Sequence, residues 1–131
     1  ASGVWIGSAF LASEEAGILP GQKQAIVDAT EEGTVVSRSV TGKPARIIKS
    51  KWTQLWAESE HEPLPMPYQT QVSRPALIAA NLAGREQEIN PGFAGQGIGM
   101  IKAVRPAAEI MADFVAGADA TLKARLSLLN G

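Results

Sequence analysis

Apolar residues recur at helical spacing most clearly near the end of the chain. Ala107, Ile110, Met111, Phe114, Ala118, Leu122 and Leu126 form one stripe, with Glu109, Asp113 and Lys123 on the polar side. That period predicts a long helix opened by Arg105-Pro106 and ending near Leu129, supported by an Asp119 to Lys123 pair one turn apart. Such a stripe requires a large apolar partner. At the other end, Val4-Trp5-Ile6 reads as a short buried strand that stops at Gly7-Ser8. A strand ending in Gly plus a hydroxyl residue can offer backbone N–H groups and an O–H to an anion with no Cβ in the way.

Between these ends the pattern is broken into short pieces. Ser13, followed by Glu14 and Glu15, predicts a capped helical turn, which Gly17 and Pro20-Gly21 interrupt. Ala25, Ile26 and Ala29 predict a short amphipathic helix over 22–30. Gly33 closes it, and the β-branched run Thr34 to Val40 is the strongest strand in the chain. The turn Thr41-Gly42-Lys43-Pro44 is expected to lead into a second helix, with Ala45, Ile48, Trp52, Leu55 and Trp56 on one side. On that reading Lys43, Arg46, Lys49 and Lys51 form a solvated polar face. Pro63, Pro65 and Pro67 make 58–71 an extended connector, in which His61 is exposed and mobile. Ser73 is placed to cap a helix from Arg74 to Ala83, with Pro75 in its first turn and Gly84 as its stop.

Pro91 to Met100 carries four glycines between Gly92 and Gly99. Its G-x-G-x-G spacing is not the G-x-G-x-x-G of dinucleotide sites, and no strand precedes it. Close approach to a ligand and tight helix packing both account for it.

Composition narrows the chemistry. The 131 residues suit one domain, and the net charge of −1 gives no reason to expect nucleic acid or an anionic membrane. There is no cysteine and a single histidine, so disulfides, thiolate chemistry and multi-histidine metal sites are excluded. No apolar run approaches the roughly 18 residues that span a bilayer, and no signal peptide is visible, so a soluble, cytoplasmic protein is expected. The chain opens without Met almost directly on a buried-type strand, which predicts a truncated chain.

Several segments together resemble one family, the nitronate monooxygenases (2-nitropropane dioxygenases). The carriers are Gly3-Val4-Trp5-Ile6-Gly7-Ser8-Ala9-Phe10-Leu11-Ala12-Ser13-Glu14-Glu15, then Asp28 to Val36, then Thr41-Gly42-Lys43-Pro44-Ala45-Arg46. Ala94-Gly95-Gln96-Gly97-Ile98-Gly99-Met100-Ile101 and Arg105-Pro106-Ala107-Ala108-Glu109-Ile110 complete the set. The resemblance implies an α/β fold, the C-terminal part of an FMN-dependent (β/α)8 TIM barrel. Residues 1–16 would be the last barrel strand and following turn, 17–92 an inserted, mostly helical lobe over the active site, and 93–131 the Gly-rich segment and last barrel helix.

It further implies that Trp5, Ile6, Gly7 and Ser8 bind FMN, with Gly7 and Ser8 at the phosphate, and that Phe93 and Gln96 line the substrate pocket. Ser8 keeps the hydroxyl of the family's Gly-Thr-Arg, whereas Ala9 replaces its Arg. The implied reaction is oxidative denitrification of alkyl nitronates with oxygen. The family's catalytic His and its other phosphate-binding Gly pair belong to earlier strands, and His61 does not match the catalytic position. A barrel needs about 250 residues, so this chain alone is expected to be inactive. The same fold also serves NAD(P)H-dependent quinone and enoyl-ACP reductases, and a small, independently folding helical binding module remains the reading from a different class.

Overall fold

In a computed structural model, the structure describes residues 3–90 and 92–129. Ala1, Ser2, Pro91, Asn130 and Gly131 lie outside the described residues, including where the readings above fall on them. In chain order the elements are α1 (Ser8–Leu11), α2 (Pro20–Asp28), β1 (Thr34–Ser37), β2 (Ala45–Ile48), α3 (Lys51–Glu58), α4 (Tyr68–Leu82), α5 (Glu86–Ile89) and α6 (Ala107–Leu129). Short 3-10 segments occupy Glu31–Gly33 and Gln96–Met100. No helix among the described residues is long and apolar enough to cross a membrane.

β1 and β2 pair antiparallel, with Thr34 opposite Ile48 and Val36 opposite Arg46. The far edge of β2 is used as well. The Ile48 N–H donates to the Gly92 carbonyl at 3.2 Å and the Ala94 N–H to the Arg46 carbonyl at 3.1 Å. Ile47 thereby bridges Phe93, and the Gly-rich segment becomes a third ribbon on the sheet. The core follows from this placement. Ala25 and Ile26 of α2 meet Ile48, Ala12, Ala94 and Ile98, with Leu11, Ile18, Ala29 and Ile101 around them. Ile98 and Ile26 are almost completely buried, each contributing about 2 kcal/mol of apolar burial. Ala94, Ile98 and Gly99 of the Gly-rich segment are therefore packing material.

The expected helix over 45–56 is two elements. Ala45 to Ile48 extend as β2, and helix starts only at Lys51. Ser50 caps it: its Oγ accepts the Thr53 N–H at 3.3 Å, and Thr53 Oγ1 accepts the Ser50 N–H at 2.9 Å. The apolar residues on both sides of Ser50 match a helical period by coincidence, while the Ile47-Ile48 pair favours strand. Trp52 and Trp56 then stack obliquely, ring centroids 6.0 Å apart.

The turn between the strands is pinned to α4. Gly42 is buried at φ 84°, and a Cβ there would meet the backbone of residues 64–66 at 2.5 to 2.7 Å. Only glycine fits both the conformation and the space. Gln69 is fully buried; its Nε2 donates to the Ser39 carbonyl at 2.7 Å and its Oε1 accepts the Leu64 N–H at 2.9 Å. Ser73 Oγ donates to the Val40 carbonyl at 2.6 Å. Ser73 is thus an interior helix residue facing the turn, not a cap, and α4 begins at Tyr68, leaving Pro75 inside it. Gly84 follows the last turn, as expected.

Two further expectations change. Ser13 does not start a helix; it pairs in a parallel bridge with Arg105, and helix forms earlier, at Ser8 to Leu11. Val4 to Ile6 form no strand, and Val4 and Trp5 are exposed. A strand needs a ladder partner for its N–H and C=O groups, and none lies beside this segment among the described residues. The long helix forms as expected, yet among its described residues only Ile110 is buried. Phe114, Leu122 and Leu126 remain 40% to 65% exposed, an uncovered apolar face along α6.

The N-terminal turn and α6 are tied by backbone and one carboxylate. Arg105 N–H donates to the Ala12 carbonyl and the Glu14 N–H to the Arg105 carbonyl. Glu15 Oε2 accepts the Ala107 N–H at 2.9 Å. That backbone hydrogen bond holds the Glu15 carboxyl below its ordinary pKa. A depressed folded-state value contributes stability above the ordinary carboxylate range, lost as pH falls through the folded value. Urea unfolding followed from pH 7 to pH 3 should show an acid-side loss of stability that is shallower in Glu15→Gln. Identical acid limbs in the two proteins would show that the Glu15 contact does not form in solution.

Candidate functional site

Three segments meet at one open cleft. The Gly7 carbonyl accepts the Phe10 and Leu11 N–H groups at 3.0 and 3.2 Å, which curls the chain after Gly7 into α1 and sets Ser8 on its first residue. Ser8 Oγ then accepts the Gly95 N–H at 2.7 Å, across 87 residues of sequence. Gly95 follows Ala94, which is already bound to β2 through the Arg46 carbonyl. Turn, strand and Gly-rich segment are thus joined by backbone hydrogen bonds and one hydroxyl. A Cβ on Gly95 would lie 3.4 Å from Ser8 Oγ, an ordinary contact, so the joint rests on the Gly95 N–H and not on the missing side chain.

The cleft has a volume of about 390 Å³ and is lined by Gly7, Ser8, Leu11, Arg46, Phe93, Ala94 and Gly95. Its size is within the range of small-molecule sites. Leu11, Phe93 and Ala94 supply an apolar wall; Ser8 and Arg46 supply the polar groups. Arg46 is half-buried, and its Nη1 donates to Thr34 Oγ1 at 2.9 Å. Among the described residues Arg46 is the one titratable side chain of the lining. The lining offers groups that can bind and orient a ligand. Among the described residues no cluster of His, Cys, Asp or Glu could hold a metal ion.

Of the residues singled out in the sequence, Gly7, Ser8 and Phe93 share this cleft. Trp5 is fully exposed and Ile6 half-buried, and neither lines it. Gln96 starts the 3-10 segment beyond Gly95 and is exposed outside the lining. His61 is exposed on its connector, where its backbone N–H donates to Ser59 Oγ at 3.0 Å. Arg46 also lines the cleft, although the helical period across 45–56 places it on a solvated face. The β-branched pair that follows it was the available signal. A second cavity, about 20 Å³ between β2 and α3, is large enough for one water only. The Trp52 Nε1–H beside it is buried without a partner in the protein.

The sequence model of the family described as nitronate monooxygenase matches residues 1–117. A Mycobacterium tuberculosis protein named as a monooxygenase is 40% identical over 121 residues, covering 88% of this chain and 32% of its own length. A Bacillus subtilis protein named as a nitronate monooxygenase is 38% identical over 98 residues, covering 75% of this chain and 28% of its own. Among solved structures, the nitroalkane oxidase of Streptomyces ansochromogenes superposes with a TM-score of 0.72 at 32% identity, over 89% of this chain and 33% of that one. FabK of Thermotoga maritima shares the fold with a TM-score of 0.63 at 23% identity, over 92% of this chain and 38% of that one. The chain spans about a third of the length of the curated relatives it matches.

The Ser8–Gly95 bond is the testable joint of the cleft. Replacing Ser8 by Ala leaves the Gly95 N–H without its acceptor, and a neutral hydrogen bond is worth about 1 kcal/mol. Gly95 amide exchange should accelerate roughly fivefold in Ser8→Ala while amides of β1 are unchanged. Equal protection in both proteins would show that the contact is not formed.

Proposed function

Because the chain belongs to the nitronate monooxygenase family, we propose that it is the C-terminal portion of an FMN-dependent (β/α)8 barrel enzyme that oxidises alkyl nitronates with oxygen. Residues 1–16 are assigned to the last barrel strand and its turn, 17–92 to a lobe over the active site, and 93–131 to the Gly-rich segment and last barrel helix. Neighbouring barrel strands would give Val4 to Ile6 the ladder they lack here, and barrel packing would cover the apolar face of α6.

The observation that carries this reading is the cleft in which Gly7 and Ser8 face Phe93 and Gly95. Its residues fit the phosphate end of FMN. The Gly7-Ser8 turn brings backbone close without side-chain bulk. Ser8 Oγ is held by the Gly95 N–H, which leaves its own proton to donate to a phosphate oxygen. Phe93 and Leu11 offer the apolar surface that a flavin requires on its flank. Trp5 and Ile6, extending from Gly7, are assigned alongside the cofactor, and Gln96 with Phe93 to the substrate side. When bound, FMN supplies the electron chemistry of the reaction, and the protein supplies binding and orientation. A nitronate is already deprotonated, so its oxidation asks for no base from this chain.

Oxygen uptake by the full-length, FMN-loaded protein tests the reading. Consumption of oxygen with propyl-2-nitronate as sole reductant is expected, without NADH or NADPH. Nitronate-independent oxidation of NAD(P)H with a quinone or enoyl acceptor would assign the same fold to a reductase and overturn the nitronate reading.

A further inference from the structure

The cleft holds a single charged side chain, and it is a cation in need of a partner. Arg46 reaches it from β2, opposite Val36. Its guanidinium is oriented through Thr34, a buried residue on the neighbouring strand. Thr34 Oγ1 accepts from Arg46 Nη1 at 2.9 Å and donates to the Glu31 carbonyl at 3.2 Å, so the hydroxyl is fixed at both ends. A guanidinium has five N–H donors, and Thr34 is the one side-chain acceptor it meets among the described residues. The ion pairs of the described residues are made by Lys51, Arg85, Arg105 and Lys123, none by Arg46. A half-buried, pre-oriented guanidinium without a carboxylate is a receptor for an anion arriving from the open side.

The second donor decides the class of anion. Ser8, whose Oγ gives one of its two lone pairs to the Gly95 N–H and keeps its own proton to donate, stands in the same lining as Arg46. A planar carboxylate is satisfied by the guanidinium alone. A phosphate monoester has three terminal oxygens in different directions and can meet a guanidinium and a hydroxyl together. We propose that Arg46 is the charged anchor for the phosphate monoester of the ligand held in this cleft, acting with the Ser8 hydroxyl and positioned by Thr34. This rests on reading the cleft as the phosphate end of a flavin site, and adds to it a residue 38 positions beyond Ser8 in the chain.

Affinities for FMN, riboflavin and inorganic phosphate in the wild type, Arg46→Gln and Arg46→Lys test it, with flavin fluorescence and phosphorus NMR as readouts. FMN should bind at least tenfold more tightly than riboflavin, which lacks the phosphate. Arg46→Gln should weaken FMN about tenfold, as expected for one charge-assisted contact, and leave riboflavin unchanged, with Arg46→Lys between. If Arg46→Gln does not fold, Arg46→Lys carries the same comparison, and a drop confined to FMN supports the anchor. Phosphate binding that needs Arg46, with no preference for FMN over riboflavin, supports the anchor while sinking the flavin reading. Equal losses for FMN and riboflavin, unchanged affinities in both variants, or no binding of either phosphorylated probe by the wild type would overturn the proposal.

Discussion

Both edges of one four-residue strand are hydrogen-bonded, and the rest of the structure depends on that. β2 pairs with β1 on one side and receives Gly92 to Ala94 on the other. The second pairing brings the Gly-rich segment under α2, where Ile98 and Ala94 complete the core with Ile26. It also sets Gly95 where its N–H reaches Ser8. Without the β2 ladder the turn at Gly7 and the segment at Phe93 would have no reason to meet, since 87 residues separate the two bonded positions. The entropic cost of closing so long a loop is met by backbone pairing and apolar burial together.

The same strand borders the cleft. The backbone carbonyl of Arg46 fixes the Gly-rich segment, and the residue lines the cleft that this fixing creates. Its proposed part in recognition is therefore not separable from its structural one by backbone arguments alone. The Thr34 hydroxyl is the part that belongs to the side chain. Chain segments that are short of partners lie at the two ends: Val4 and Trp5 stand in solvent, and α6 shows its apolar face. On the proposed reading both are surfaces that the rest of the barrel covers, and the chain spans about a third of the length of its relatives.

What the sequence made legible follows from how local each signal was. The stripe from Ala107 to Leu126 is long and periodic, so α6 was readable almost to the residue. Gly7-Ser8 and Phe93 are singled out by the family resemblance, and the structure brings them to one cleft, while Trp5, Ile6 and Gln96 lie outside its lining. The second strand was hidden because Ala45, Ile48, Trp52, Leu55 and Trp56 share a helical period across a strand, a cap and a helix. Ser50 and Thr53, three apart, were the local evidence against that helix. Ser73 has the composition of a cap yet serves the Val40 carbonyl, a contact 33 residues away that no local pattern encodes. The Gly-rich segment is ambiguous for a sound reason: Ile98 is core, Phe93 and Gly95 face the cleft and Ala94 does both, so packing and site are interleaved in one stretch.

The central claim is that this cleft receives the phosphate of a flavin. A crystal structure of the full-length protein with FMN bound addresses it most directly. The account predicts the phosphate in the cleft, with one of its oxygens within hydrogen-bond distance of Ser8 Oγ and the flavin running past Phe93. An FMN phosphate held elsewhere, with Gly7, Ser8 and Arg46 turned to solvent or to protein, would contradict it.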